Sequence, residues 1–153
     1  DNLDAVANFF IGREMHTRYG TLDNIAMERA ARQVINRINP NFLSLKEPVL
    51  SLSGGQRQSI AIARAVYFQA KVLVMDEPTA ALSVKEVQKI LDLALELKAE
   101  GIGVIIITHN LHHMFSVADR ITVLQNGSPV GDKKVADTNI REIEKLIIGN
   151  DFS

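Results

Sequence analysis

The chain has 153 residues, 17 Lys and Arg against 18 Asp and Glu, and no cysteine. That length suits one domain or part of a larger one, and a formal net charge of −1 offers no basic surface for nucleic acid. The missing thiols exclude a disulfide framework and a thiolate metal site. Hydrophobic residues make up 46%, enough for a packed core. The longest apolar runs, such as Gly103 to Ile107, fall far short of the roughly 20 residues of a membrane-spanning helix. The start, Asp1-Asn2-Leu3-Asp4, is acidic and carries no initiating Met. It reads as the interior of a longer polypeptide and not as a signal peptide.

Residues 1 to about 50 read as helical and mobile. Asp23 can cap a helix running to about Ile38, with Ile25, Ala26, Ala30, Val34 and Ile38 on one broad face. Asn39-Pro40-Asn41 stops it, and Pro48 lies in an extended approach to the next segment. From Gly55 to about Gln69 a second helix is predicted, with Ile60, Ala63, Val66 and Tyr67 on its apolar face. Val72 to Asp76 is short and rich in β-branched residues, so it reads as a buried strand. Ser83, with Glu86 three residues on, opens a third helix whose core stripe is Val84, Val87, Ile90, Leu91, Ala94 and Leu95. Gly101 ends it.

Val104 to Thr108 is the second buried strand, and His109 to about Ala118 a short helix. Ile121 to Gln125 and Pro129 to Lys134 flank Asn126-Gly127, a strong hairpin signal. Asp137 or Thr138 caps a last helix, which Gly149 terminates. Strand, helix, strand, helix predicts an α/β fold with parallel strands, preceded by a helical front segment and followed by a hairpin and a closing helix.

Two stretches carry chemistry. Leu52-Ser53-Gly54-Gly55-Gln56-Arg57-Gln58 is a Ser-Gly-Gly turn opening onto a helix. A helix N-terminus offers unpaired N–H groups and the positive end of the dipole, glycine lets backbone approach a phosphate, and Ser53 adds a hydroxyl. Val72-Leu73-Val74-Met75-Asp76-Glu77 delivers two acids to the C-terminal end of a strand, where α/β folds bind ligands. Asp76 can hold Mg²⁺ through water, and Glu77 can orient and deprotonate an attacking water. His109, at the end of the second strand, can donate to a terminal phosphate oxygen. For His16, His112 and His113 the reading is solvated or packing side chains, without a metal site. No G-x-x-x-x-G-K-[ST] phosphate loop occurs in the chain.

These residues resemble the signature motif and the Walker B strand of ABC transporter ATP-binding subunits. Pro78-Thr79-Ala80-Ala81-Leu82 resembles their D-loop, and Thr108-His109-Asn110 their switch, in the same order and spacing. The front segment, from Asn2-Leu3-Asp4 to Asn8-Phe9-Phe10-Ile11-Gly12-Arg13-Glu14, looks like the subunits that energise bacterial monosaccharide importers. Leu111 to Arg120 and Gln125-Asn126-Gly127 point the same way.

The resemblance implies the C-terminal part of one ABC-type P-loop NTPase domain. About 1–70 would be the helical signature subdomain and about 71–153 the Walker B and switch part, with the Walker A part preceding residue 1. It implies ATP and Mg²⁺ as cofactors, with Asp76 as the metal acid, Glu77 as the general base and His109 as the γ-phosphate sensor. Ser53, Gly54, Gly55 and Gln56 would contact ATP held by a second ATP-binding subunit. The partners implied are that subunit, transmembrane permease subunits on which the helical front docks and, indirectly, a sugar-binding protein. Nucleic acid is not among them. The place implied is the cytoplasmic face of the membrane, peripherally, and the activity is ATP hydrolysis coupled to import of a simple sugar. Without the phosphate loop the 153-residue chain itself is expected to be inactive. The alternatives are a non-catalytic fragment or interaction module and, less in keeping with the charge, an ATPase acting on nucleic acid or ribosomes. One departure stands out: the family's D-loop ends in Asp where this chain has Ser83. A final expectation is that Val72 to Met75 and Val104 to Ile107 lack apolar cover if the N-terminal strands are missing.

Overall fold

The computed structural model describes residues 3–42, 44–80 and 82–149. Asn2 and Ala81, which the motif reading included, lie outside them. The chain divides into two compact units, Asp1–Leu73 with Gly101–Gly103, and Val74–Glu100 with Val104–Ser153.

The first unit is helical. Asp4 accepts from the Ala7 N–H at 2.8 Å and caps α1 (Ala5–Phe10). Asp23 accepts from the Ala26 N–H at 2.9 Å and caps α2 (Asn24–Ile38). After a 3-10 turn at Val49–Ser51 comes α3 (Gly54–Tyr67). The front is packed, where the sequence reading expected it loose: Ala5, Phe9, Phe10, Ala31, Ile35 and Ala63 are fully buried. Phe9, Phe10, Tyr67 and Phe68 stack mostly edge-on or tilted, with ring centroids 4.9 to 6.1 Å apart. Arg13 lies over the Phe68 ring at 4.7 Å.

The buried stripe of α2 is Met27, Ala31 and Ile35, with Ala30, Val34 and Ile38 at its margin. Ile25 is exposed, because it lies roughly 160° around the helix from Met27. In α3, Ile60 and Ala63 are buried as expected, but so are Ser59 and Ile62, while Val66 and Tyr67 are half-buried. Ser59 is satisfied there by donating to the Gly55 carbonyl at 2.8 Å.

Strand β1 (Val72–Asp76) pairs with β2 (Gly103–Ile107). The Gly103 N–H donates to the Lys71 carbonyl at 2.9 Å and the Glu77 N–H to the Ile107 carbonyl at 2.8 Å. The register therefore advances in the same direction on both strands, and they are parallel. Neither is buried on both faces. Leu73 and Met75 are buried, but Val72 and Val74 are 54% and 58% exposed, and Ile105 and Ile107 are each 52% exposed. Among the described residues nothing covers that side, so the apolar run is buried on one face only and the strands show the lack of apolar cover expected of them.

In the second unit α4 (Val84–Ala99) buries Leu91, Leu93, Ala94 and Leu97. The expected stripe was partly displaced: Val84 is 87% exposed and Leu95 42%, while Leu93 and Leu97 face the core. The Ser83 N–H and hydroxyl donate to one oxygen of Glu86 at 2.9 and 2.7 Å, which holds that carboxyl below the ordinary range. The helix ends as Gly101 takes φ +83°.

Helix α5 (Leu111–Val117) is shorter than expected and starts after Asn110, leaving His109 in the loop. Strands β3 (Arg120–Gln125) and β4 (Ser128–Lys134) form the antiparallel hairpin, turning through Asn126 and Gly127 at φ +50° and +79°. The cap of α6 (Ile140–Ile148) is Asn139, two residues beyond Asp137. Val135–Asp137 is spent in a 3-10 turn and Thr138 is extended, so Asn139 is first to reach an open N–H, that of Glu142 at 3.1 Å. Ile121, Val123 and Ile143 form this region's core with Leu111, Met114, Phe115 and Leu146.

Candidate active site

In the first unit the Ser-Gly-Gly segment opens α3. Ser53 has extended backbone, its hydroxyl accepts from the Gln56 N–H at 3.2 Å, and the Gln56 side-chain oxygen accepts from the Ser53 N–H at 2.9 Å. This reciprocal capping box was written in the sequence as Ser-x-x-Gln and passed over. It fixes Ser53 and Gln56 to each other. Gly54 faces open space, with nothing within 4 Å of where a Cβ would stand. The first turn of a 14-residue helix is thus presented to solvent, with backbone N–H groups available to an anion.

In the second unit the parallel pairing brings the ends of β1 and β2 together. Glu77 follows β1 with φ +43°, a left-handed backbone that a long side chain adopts only at a cost. Its carboxylate meets the end of β2. Oε1 accepts from the His109 N–H at 3.2 Å and from His109 Nδ1 at 2.8 Å, and Oε2 accepts from the Thr108 hydroxyl at 3.4 Å. An ionised carboxylate can only accept, so the His109 proton in this contact sits on Nδ1. The His109 side-chain bond is the main reason the Glu77 carboxyl lies below its ordinary range, and desolvation opposes it. Asp76 is exposed at the strand end.

Among the described residues no three His, Cys, Asp or Glu side chains converge on a metal-sized site. Asp76 therefore offers a single hard carboxylate. That fits Mg²⁺, which binds through one or two carboxylates and otherwise through water and phosphate.

His16 and His112 are exposed, and His16 Nδ1 lies 3.1 Å from the Glu14 carbonyl. His113 is not the solvated or merely packing side chain expected. It is half-buried and polar on both ring nitrogens, with Thr79 Oγ1 3.3 Å from Nδ1 and Asn110 Nδ2 3.4 Å from Nε2. No sequence signal distinguishes it from His112 beside it. Only the start of α5 at Leu111 turns it inward.

Parallel strands ending in Asp-Glu and in Thr-His, with a Ser-Gly-Gly-capped helix in the preceding unit, form the α/β architecture of an ATP-binding cassette. The chain belongs to the ABC transporter family, whose profile matches residues 4–80. It is 44% identical over 92% of its length to the xylose/arabinose import ATP-binding protein XylG of Sulfolobus acidocaldarius, covering 55% of that protein. It is 36% identical over 99% of its length to the ribose import ATP-binding protein RbsA of Bacillus licheniformis, covering 30% of it. The chain thus spans about half, or about a third, of the curated relatives it matches. Among solved structures it superimposes on a dimeric ATP-binding cassette in a post-hydrolysis state bound to ADP and Pi, with a TM-score of 0.71 and 27% identity. That match covers 87% of this chain and 57% of the other. Among the described residues no helix is long and apolar enough to cross a membrane.

Proposed function

We propose that this chain is the signature- and acid-bearing part of an ATP-binding subunit that hydrolyses ATP to drive import of a simple sugar. The observation that carries this reading is the contact between Glu77 and His109 at the ends of adjacent parallel strands. The relatives named for xylose, arabinose and ribose import support the sugar.

In this reading Glu77 is the general base for the attacking water, and His109 donates to the terminal phosphate oxygen of ATP. The two roles are linked. The His109 bond is what chiefly depresses the Glu77 carboxyl. When His109 turns its proton toward a phosphate, Glu77 loses that partner and becomes a stronger base. Asp76 would hold Mg²⁺, which when bound neutralises developing phosphate charge. Ser53, Gly54, Gly55 and Gln56 offer the open helix start to ATP held by a second ATP-binding subunit. Catalysis then rests on positioning and charge stabilisation. Permease subunits would anchor the protein peripherally at the cytoplasmic face of the membrane, with a sugar-binding protein acting through them. The helical front would dock there through its exposed surface, since Phe9, Phe10 and Phe42 are committed to the core.

The test uses a full-length subunit carrying this sequence. Glu77→Gln keeps the shape and removes the base, so turnover should fall roughly 10²–10⁴-fold while ATP still binds. Near wild-type turnover would overturn the assignment. Uptake of labelled pentoses by cells with and without the subunit tests the sugar. The 153-residue chain alone should bind MgATP very weakly and release no phosphate. Micromolar affinity by calorimetry would overturn that and reveal an unrecognised nucleotide site.

A further inference from the structure

We propose that His113 is a positioning residue, a neutral imidazole protonated at Nδ1 that ties the segment after Glu77 to the segment after His109. It deepens the reading of Glu77 and His109 as the hydrolytic pair and rests on it.

The protonation state follows from the bonds around Asn110. The His113 backbone N–H can only donate, and it does so to Asn110 Oδ1 at 3.1 Å. That fixes which end of the Asn110 amide is oxygen. The other end, Nδ2, therefore faces His113 Nε2 at 3.4 Å as a donor. Nε2 must then be the unprotonated, accepting nitrogen. The ring proton is left on Nδ1, where it points at Thr79 Oγ1, 3.3 Å away. A doubly protonated ring would set an N–H against the Asn110 amino group and lose this bond.

The bonds close into a ring. Thr79 lies two residues after Glu77. Asn110, next to His109, donates its backbone N–H to Thr108 Oγ1 at 3.1 Å, and the Thr108 hydroxyl donates to Glu77 Oε2 at 3.4 Å. The circuit runs from Glu77 through Thr108, Asn110, His113 and Thr79 back to the Glu77 backbone. Glu77 sits on a left-handed backbone, which surrounding bonds must hold. His113 meets that segment at Thr79 and makes no hydrogen bond to Asp76, Glu77 or His109. Its effect is on where Glu77 stands and not on the chemistry itself.

Two measurements decide this. The chain has four histidines, so ¹⁵N-histidine labelling with His113→Gln as the assignment control resolves the ring. The expected spectrum has His113 Nε2 as a non-protonated nitrogen and Nδ1 bonded to hydrogen, with the Nδ1 resonance shifting in Thr79→Val as that proton loses its acceptor. A ring protonated at Nε2, or one insensitive to Thr79→Val, overturns the proposal.

In the full-length subunit, His113→Ala should lower kcat roughly tenfold to a hundredfold with the KM for ATP unchanged. His113→Gln should recover much of it, since a carboxamide offers an acceptor and a donor at a spacing like that of the ring nitrogens. Loss of kcat that Gln does not restore, or no loss with Ala, also overturns it. Glu77→Gln run in parallel separates the two claims: retained turnover there defeats the hydrolytic reading, whatever the imidazole spectrum shows.

Discussion

The helical first unit and the open side of the β1–β2 pair treat similar side chains in opposite ways. Phe9, Phe10, Ile35 and Ile60 are each at most 2% exposed, at the centre of one packed core. Along β1 and β2, Val72, Val74, Ile105 and Ile107 are each more than half exposed. The difference is that a helix buries its stripe against neighbours near in sequence, whereas a strand's second face waits for an element packed across it.

The largest test of this contrast is Phe9→Ala. A fully buried aromatic leaves a cavity, so the stability of the chain should drop by about 3–5 kcal/mol in urea titration. A loss under 1 kcal/mol would mean the front core is loosely closed and the comparison false.

Gly131→Ala comes next. A Cβ there would stand 2.5 Å from Leu146 Cδ1, so the Leu146 side chain must move to admit it. About 1–3 kcal/mol is expected, toward the lower end because a leucine methyl can move. Ser53→Ala removes one half of the capping box and should cost about 1 kcal/mol, together with lower helix-start protection in hydrogen exchange.

Val74→Thr sharpens the other side. On an exposed face it should change the stability of this chain by no more than about 0.5 kcal/mol. A loss of 2 kcal/mol would show that something covers the strand in solution.

The smallest effect is that of pH on Glu77. Its carboxyl is depressed in the folded state, chiefly by His109. Its stabilising contribution is therefore complete above the ordinary carboxylate pKa and is lost as pH falls through the lowered folded value. The difference in unfolding midpoint between the wild type and Glu77→Gln should fade below about pH 4. A difference that grows on acidification would reverse the sign of the shift.

Features set by a few neighbouring residues were legible in sequence. Asp23 and Ser83 as helix starts, Gly101 and Gly149 as stops, the Asn126-Gly127 turn and the strand–helix alternation all needed only local chemistry. Ile25, Val84 and Leu95 were misplaced because a helical stripe one residue off still looks periodic, and only the packed partner chooses the centre. An apolar run does not by itself reveal how many faces are covered, but the lack of apolar cover expected along these two strands is what Val72, Val74, Ile105 and Ile107 show. At the candidate site the acids and His109 stood out by position. The Ser53–Gln56 box was legible and overlooked, whereas the tie through His113 depends on side-chain directions that no spacing encodes.

The left-handed backbone of Glu77 bears on anyone who randomises this loop and selects survivors by heat. Glycine and asparagine accept that geometry more readily than glutamate. A screen for thermal tolerance would therefore drift toward them at position 77 and discard the carboxylate. Libraries here need a selection on phosphate release, and Gln, which keeps the strained geometry as well as the shape, is the cleaner substitution for isolating the lost acid.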